Sequence, residues 1–254
     1  MVRAPPTAAR KPASGHRPTA ERANTIAAQL EEDIVLGRLQ PRERLLEQDL
    51  ADRFDTHRAA VRQALFDLDV KGLIERVPNR GAQVRDLSPE DVRQIYAVRE
   101  ELESMAARII PLPVSASDIK RLEAIQRAHS QAVAAGDLRA VFYSNLQFHR
   151  ALFSLCGNPY LIESIERLAQ RAYGIRSWSN AIPEYLQRVR QDHLDMLDAL
   201  QRGRRADLVR LCRRHLAPSR DVYIRVYQQR LGSGVRRRQA SGTRHRGLGA
   251  NRRA

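Results

Sequence analysis

Three histidines of this 254-residue chain sit on apolar stripes at helical spacing. His149 lies with Val141, Leu152 and Phe153; His193 with Leu186, Val189, Met196 and Leu200; His215 with Leu208, Leu211 and Val222. A single imidazole on an apolar face is ordinarily a core residue that donates its ring N–H to a carbonyl. Three on inward faces that can converge are the expected means of holding a Zn²⁺-like ion while leaving open positions for a small molecule. Asn145 stands one helical turn before His149, hence on its face, and offers an oxygen. Cys212 lies three residues before His215 and reads as a small buried thiol rather than a ligand.

A second set of residues points to different chemistry. Arg58 and Arg62 are four apart, so on a helix their side chains lie one above the other on one exposed surface. Guanidinium forks there reach phosphate oxygens and guanine edges when the helix enters a major groove. Downstream, Arg80 and Gly81 sit at the tip of a potential hairpin, where glycine allows close backbone approach to a sugar-phosphate edge.

The elements that must position these residues follow from periodicity. Ile26, Leu30, Ile34 and Val35 recur at three- and four-residue spacing before Gly37, predicting a first helix. A short helix over Glu47 to Phe54 and another carrying Val61, Leu65 and Leu68 on its inner face make a helix-turn-helix pattern ended by Gly72. Leu73-Ile74 and Ala82-Val84 flank Pro78-Asn79-Arg80-Gly81 as two short strands around a turn. From Ser88, a helix cap followed by Pro89, the chain predicts six helices and no strand: about 89–110, 116–135, 137–155, 159–176, 183–201 and 206–230. The expected fold class is therefore mainly α, with an N-terminal winged helix-turn-helix over 21–86 and a C-terminal all-α helical bundle over 87–230.

Charge tests the nucleic-acid reading. The formal net charge is +15, which suggests a polyanionic partner. Yet residues 1–20 carry Arg3, Arg10, Lys11 and Arg17 with no acid, and residues 231–254 carry seven arginines with no acid. Both segments have the one-signed, weakly hydrophobic composition of disordered tails and hold most of the net charge. Segment 21–86 holds 11 bases and 13 acids. Its binding face must then be locally basic, with Glu31, Glu32, Asp33, Asp67 and Asp69 turned mostly elsewhere. Charged residues interrupt every apolar run, which excludes a membrane span, and two cysteines make no disulfide framework. A soluble cytoplasmic protein is expected.

The run IVLGRLQPRERLLEQDLADRFDTHRAAVRQALFDLDVKGLIERVPNRGAQV resembles the signature of GntR-type bacterial winged-helix regulators. The resemblance implies that Arg58 and Arg62, with His57, Gln48 and Arg80, contact operator DNA and that Gly81 approaches the minor groove. Arg42 stands where the family usually has Gly after the loop proline, and His57 where Ser or Thr is frequent. YAVREELESMAARI, NLQFHRALFSLCGNPYL and DHLDMLDALQRG are similar to the FCD effector domain. That resemblance implies a divalent metal held by His149, His193 and His215, with Asn145 at a position usually held by Asp. It also places Arg99 beside the pocket, to pair with a small carboxylate effector; a salt bridge from Arg99 to Glu103 is the alternative.

The expected function is a homodimeric, ligand-responsive repressor reading an inverted repeat in double-stranded DNA, and not an enzyme. Two rivals stand beside it. A metal-dependent hydrolase would use the three-histidine site to activate water, but no carboxylate is spaced to serve as its base. An architectural DNA binder would rely on the basic tails and keep a vestigial pocket.

Overall fold

The computed structural model describes residues 19–77 and 81–243, with side chains described as far as residue 230. The tail expected over 1–20 lies outside them apart from its last two residues, and so do Arg80 and the end of the tail expected over 231–254. The chain begins with α1 (Thr19–Val35), β1 (Arg44–Leu45), α2 (Glu47–Arg53), α3 (Arg58–Val70), β2 (Ile74–Val77) and β3 (Gly81–Val84). The strands form one antiparallel sheet in the order β1-β3-β2, with Arg44 opposite Gln83 and Ile74 opposite Val84. This is the expected winged helix with one addition. β1 is too short for alternation to announce it, and it exists because β3 offers it an edge.

Seven helices follow: α4 (Pro89–Ile109), α5 (Ala116–Ala135), α6 (Leu138–Ser154), α7 (Pro159–Arg171), α8 (Tyr173–Asn180), α9 (Pro183–Gln201) and α10 (Arg205–Thr243). Where one helix was expected over 159–176, the chain breaks at Ala172, and α10 runs on past residue 230, where a tail was expected to begin. Ser88 opens α4 with a reciprocal capping box to Asp91, and Pro89 occupies its first turn. Asp137 and Asn158 cap α6 and α7 through their side chains. α10 packs along α4, α9 and α8, while α5 packs against α6 and α9.

The departure at Arg42 has a visible cost. Its backbone adopts φ 68, a left-handed conformation that glycine takes without penalty and that strains a residue bearing Cβ. The turn is retained because Arg42 N–H donates to the Val84 carbonyl at 2.9 Å and its guanidinium pairs with Asp86 at 2.6 Å.

The two units share a core. Phe142 of α6 and Tyr173 of α8 are buried in the same cluster as Leu30, Val61 and Leu68 of the winged helix. Their rings meet edge to face at 5.2 Å. Glu32 of α1 accepts hydrogen bonds from Arg139 at 2.7 Å and Tyr143 at 3.2 Å, both on α6. Lys71 takes Glu31 at 2.6 Å, and Asp33 is buried between Arg38 and Arg53. Three of the five acids expected to turn from DNA are thus engaged in ion pairs beside α1, one of them against the bundle.

Because Phe142 fills the winged-helix core from outside that unit, Phe142→Ala is expected to cost about 3–5 kcal/mol in urea unfolding. It is also expected to raise amide exchange along α1, and unchanged protection of α1 would contradict the shared core.

Candidate functional site

Three helices bring the histidine rings together. His149 comes from α6, His193 from α9 and His215 from α10, and their ligand nitrogens all lie within 4.8 Å of one another. His149 Nε2 is 3.1 Å from His215 Nε2 and 3.3 Å from His193 Nε2. Two neutral imidazole nitrogens at that distance either share a proton or both present lone pairs to a third species.

The neighbouring residues decide which nitrogen keeps its proton. Gln126 Nε2 donates to the Arg190 carbonyl and Ser130, so its Oε1 faces His193 and accepts from Nδ1–H at 2.9 Å. Asp192 accepts from His215 Nδ1–H at 3.3 Å and from Arg214 at 2.9 Å. Burial works against the Asp192 charge, but these two hydrogen bonds outweigh it and hold the carboxyl below its usual range. With Nδ1 protonated in both rings, the Nε2 lone pairs point inward. His193 is stacked on Phe148 at 4.0 Å, and His149 is held between Phe148 and Phe153. Burial, and then the neighbouring imidazoles, push His149 and His193 well below the usual histidine range, so both are neutral at physiological pH.

This donor set fits a divalent ion. Metal–nitrogen bonds of about 2.0–2.1 Å at tetrahedral angles place nitrogens about 3.3–3.4 Å apart, close to the two separations of His149 Nε2 from its neighbours. Asn145 is buried one turn before His149 on α6. Its side-chain oxygen is neutral, so the histidines have no negative ligand beside them on this face.

Arg99 makes the salt bridge to Glu103 that was the alternative to its effector role. Its Nε and Nη2 bond Glu103 at 3.1 and 2.9 Å, with each side chain almost wholly buried. Its Nη1 is buried without a partner. Arg99 and His149 line one small cavity, about 30 Å³, together with Arg176, Tyr173 and Phe153. Arg176 Nη1 is likewise buried without a partner. Beside the imidazoles, the lining therefore holds two unmet guanidinium N–H donors, next to Glu103 and Glu166.

Several of these residues escaped the sequence reading. His129 of α5 is fully buried 5.0 Å from His193, its Nδ1–H received by Ser144 at 3.0 Å and its Nε2 unpartnered. Gln126 and His129 share the face of Leu122 and Val133, at spacings of four, three and four, and that stripe was legible in principle. Arg176 and Tyr173 belong to α8, whose brevity leaves no periodicity to read.

The other candidate residues lie apart from this centre, on the winged helix. Gln48, His57, Arg58, Arg62 and Gly81 are all exposed. Arg58 donates through Nε to Gln48 Oε1 at 2.8 Å, and its Nη2 contacts the same oxygen. Arg62 is 3.9 Å from Glu47 and is 63% exposed, so it remains available to a polyanion. His57 starts α3 in extended conformation and, unlike Ser or Thr, makes no side-chain cap, which leaves its imidazole in solvent. Gly81 takes φ 81 at the start of β3, a conformation that disfavours any other residue.

The comparisons with known proteins agree with this division. The family description "Bacterial regulatory proteins, gntR family" matches residues 22–84, and the FCD domain matches residues 94–218. The HTH-type transcriptional repressor RspR of Escherichia coli K12 is 30% identical over 205 residues, covering 79% of this chain and 88% of its own. The solved structure of E. coli McbR/YncC has a TM-score of 0.65 at 26% identity, covering 82% of this chain and 98% of that one. A GntR transcriptional regulator from Rhodococcus sp. RHA1 has a TM-score of 0.69 at 22% identity, covering 80% and 98%, and speaks for the fold alone.

The buried imidazoles predict how stability responds to pH. Burial first, and the nearby His215 imidazole next, lower His129 to about 4, whereas an unfolded imidazole titrates near about 6.5. Below about 6.5 the unfolded chain takes up a proton that the native chain refuses, so stability present above that pH is lost as pH falls. With metal chelated, Tm is expected to drop steadily between those two values, and His129→Gln to reduce the slope. An equal slope in that variant would remove His129 from the account.

Proposed function

Since the chain belongs to the GntR family of bacterial regulatory proteins, with an FCD domain behind its winged helix, we propose that it is a homodimeric repressor that senses a small carboxylate at a metal-bearing histidine centre. The family and its named relatives are transcriptional regulators rather than enzymes, which removes the hydrolase alternative. The observation that carries the proposal is the inward convergence of the His149, His193 and His215 Nε2 atoms beside two unpartnered guanidinium donors.

A divalent ion would be held by these three imidazoles with the Asn145 oxygen as fourth donor, and when bound it would supply a Lewis-acid contact for one effector oxygen. The remaining work falls to the protein. Arg99 and Arg176 each have an N–H to give to a carboxylate, and burial makes those bonds strong. As it stands the cavity holds little more than one water-sized group. A larger effector must therefore displace its walls, and Tyr173 is one of them.

Displacement of Tyr173 reaches the DNA-binding unit directly. The ring lies under the Arg176 guanidinium at 5.9 Å on one side and in the winged-helix core on the other. Helix α6 offers a parallel route, with His149 near one end and Phe142, Tyr143 and Arg139 towards the other. An effector that favours one arrangement of these walls shifts the position of the winged helix by its differential affinity alone.

The dimer is supported by α4, where Val98, Met105 and Ile109 are 50%, 43% and 41% exposed. Spacings of seven and four put them on one face, an apolar stripe suited to a second copy. Two copies would present paired α3 helices to successive half-sites of an inverted repeat.

Arg58→Ala and Arg62→Ala are each expected to weaken specific operator binding by about 1–3 kcal/mol if the residue touches a base. Unchanged affinity in both variants would dismiss α3 as the reading element. Purified protein is expected to carry about one divalent ion per chain, released as pH falls because imidazoles must be neutral to ligate. Metal analysis finding no ion after zinc addition, with His193→Ala no different from wild type, would overturn the centre.

A further inference from the structure

A second and larger cavity, about 250 Å³, lies away from the histidine centre, at the seam between the winged helix and the bundle. Leu39 and Pro41 after α1, Leu73 after α3 and Arg85 after β3 form one side. Ile175 and Trp178 of α8 face them from the bundle. The frame is tight. A Cβ on Gly174 would lie 3.7 Å from Ile34, and one on Gly37 would lie 3.9 Å from Ser177, so the units already touch around the void. At roughly 30 Å³ per water, the space suits a compact organic molecule.

The chemistry of the lining selects its charge. Most of the wall is apolar. Its charged side chains are Arg85 and Arg171, and no acid lines the cavity. Neither arginine has an ion-pair partner among the described residues; the Arg85 Nη2 bonds only the Ile74 carbonyl, at 3.3 Å. Arg85 Nε and Trp178 Nε1 are buried without hydrogen-bond partners. Buried donors left unmet cost free energy, and here all of that deficit is in donors. An acceptor-rich, negatively charged head would meet it, and an apolar body would fill the remainder.

We propose that this seam cavity is a second small-molecule site, taking an apolar organic monoanion of the aromatic carboxylate class. Its carboxylate is placed against Arg85 and Trp178 Nε1, and its body against Leu39, Leu73 and Ile175. An occupant touches both units at once, so it favours the docked arrangement over any in which the winged helix swings away. The site goes beyond the histidine centre and needs neither its metal nor its effector.

Trp178 is the chain's single tryptophan, so its emission reports the cavity. We would titrate the full-length protein with 4-tert-butylbenzoate and follow both the Trp178 emission and the heat of binding. Saturable binding is expected, with the uncharged 4-tert-butylbenzamide and the Arg85→Gln variant each weaker by about tenfold or more. Ser177→Phe, which fills the space while keeping both arginines, is expected to abolish binding, and its circular dichroism is expected to match wild type. His149→Gln is expected to bind the compound as wild type does while losing metal, which separates failure here from failure of the histidine centre. Three outcomes would overturn the site: no saturable binding, equal affinity for the amide, or wild-type titration by Ser177→Phe. Loss of binding in His149→Gln would do the same by moving the compound to the other cavity.

Discussion

Three imidazole Nε2 atoms turned toward one another in the buried interior are the constraint around which the bundle is organised. Each of His149, His193 and His215 comes from a different helix, so α6, α9 and α10 must meet at one depth and one rotation. A slip of one residue on any helix turns its ring about 100° away. The supports are built to prevent that. Phe148 stacks under His193, Gln126 and Asp192 hold the Nδ1 protons of His193 and His215, and Arg214 anchors Asp192. The neutrality of His149 and His193 follows from burial, and neutrality is the state in which an imidazole can donate a lone pair.

The same helices that hold the rings also hold the winged helix. Phe142 and Tyr173 extend the bundle into the DNA-binding core, and Glu32 ties α1 back to Arg139 and Tyr143. Phe142 precedes His149 by two turns of α6, and Tyr173 precedes Arg176 by less than one turn of α8. Packing this dense transmits displacement, since a well-filled core has few ways to absorb it locally. Beside this rigid contact the seam leaves a mostly apolar void whose charged lining residues are Arg85 and Arg171, so one interface combines a fixed joint with unfilled space.

Charge means something different in the fold than in the composition. The net charge of +15 suggested nucleic acid, yet most of it lies in terminal segments. Three acids of the slightly acidic winged helix are taken up in ion pairs, one of them with the bundle. Glu31, Glu32 and Asp33 pair with Lys71, Arg139, Arg38 and Arg53, while Arg58 and Arg62 stay exposed.

Much of this was legible in sequence because it depends on local spacing. Apolar residues at three and four predicted every bundle helix except the short α8, and the Ser88-Pro89 start and Gly72 stop were read where they occur. The four chemistry-bearing positions of the bundle were named from helical faces alone, as were Arg58 and Arg62. Periodicity tells which way a side chain points from its own helix axis and nothing about what faces it. The tertiary structure decided the rest: that three of those faces meet within bonding distance, that Gln126, His129 and Asp192 surround them, and that Arg99 serves Glu103 and the cavity together. It also decided that two short aromatic stretches belong to the winged-helix core rather than their own. Those relations join residues far apart in the chain: 66 positions separate His149 and His215, and 67 separate Gln126 and His193. Contacts at that separation are set by how helices pack, a property of the whole chain that no local pattern encodes.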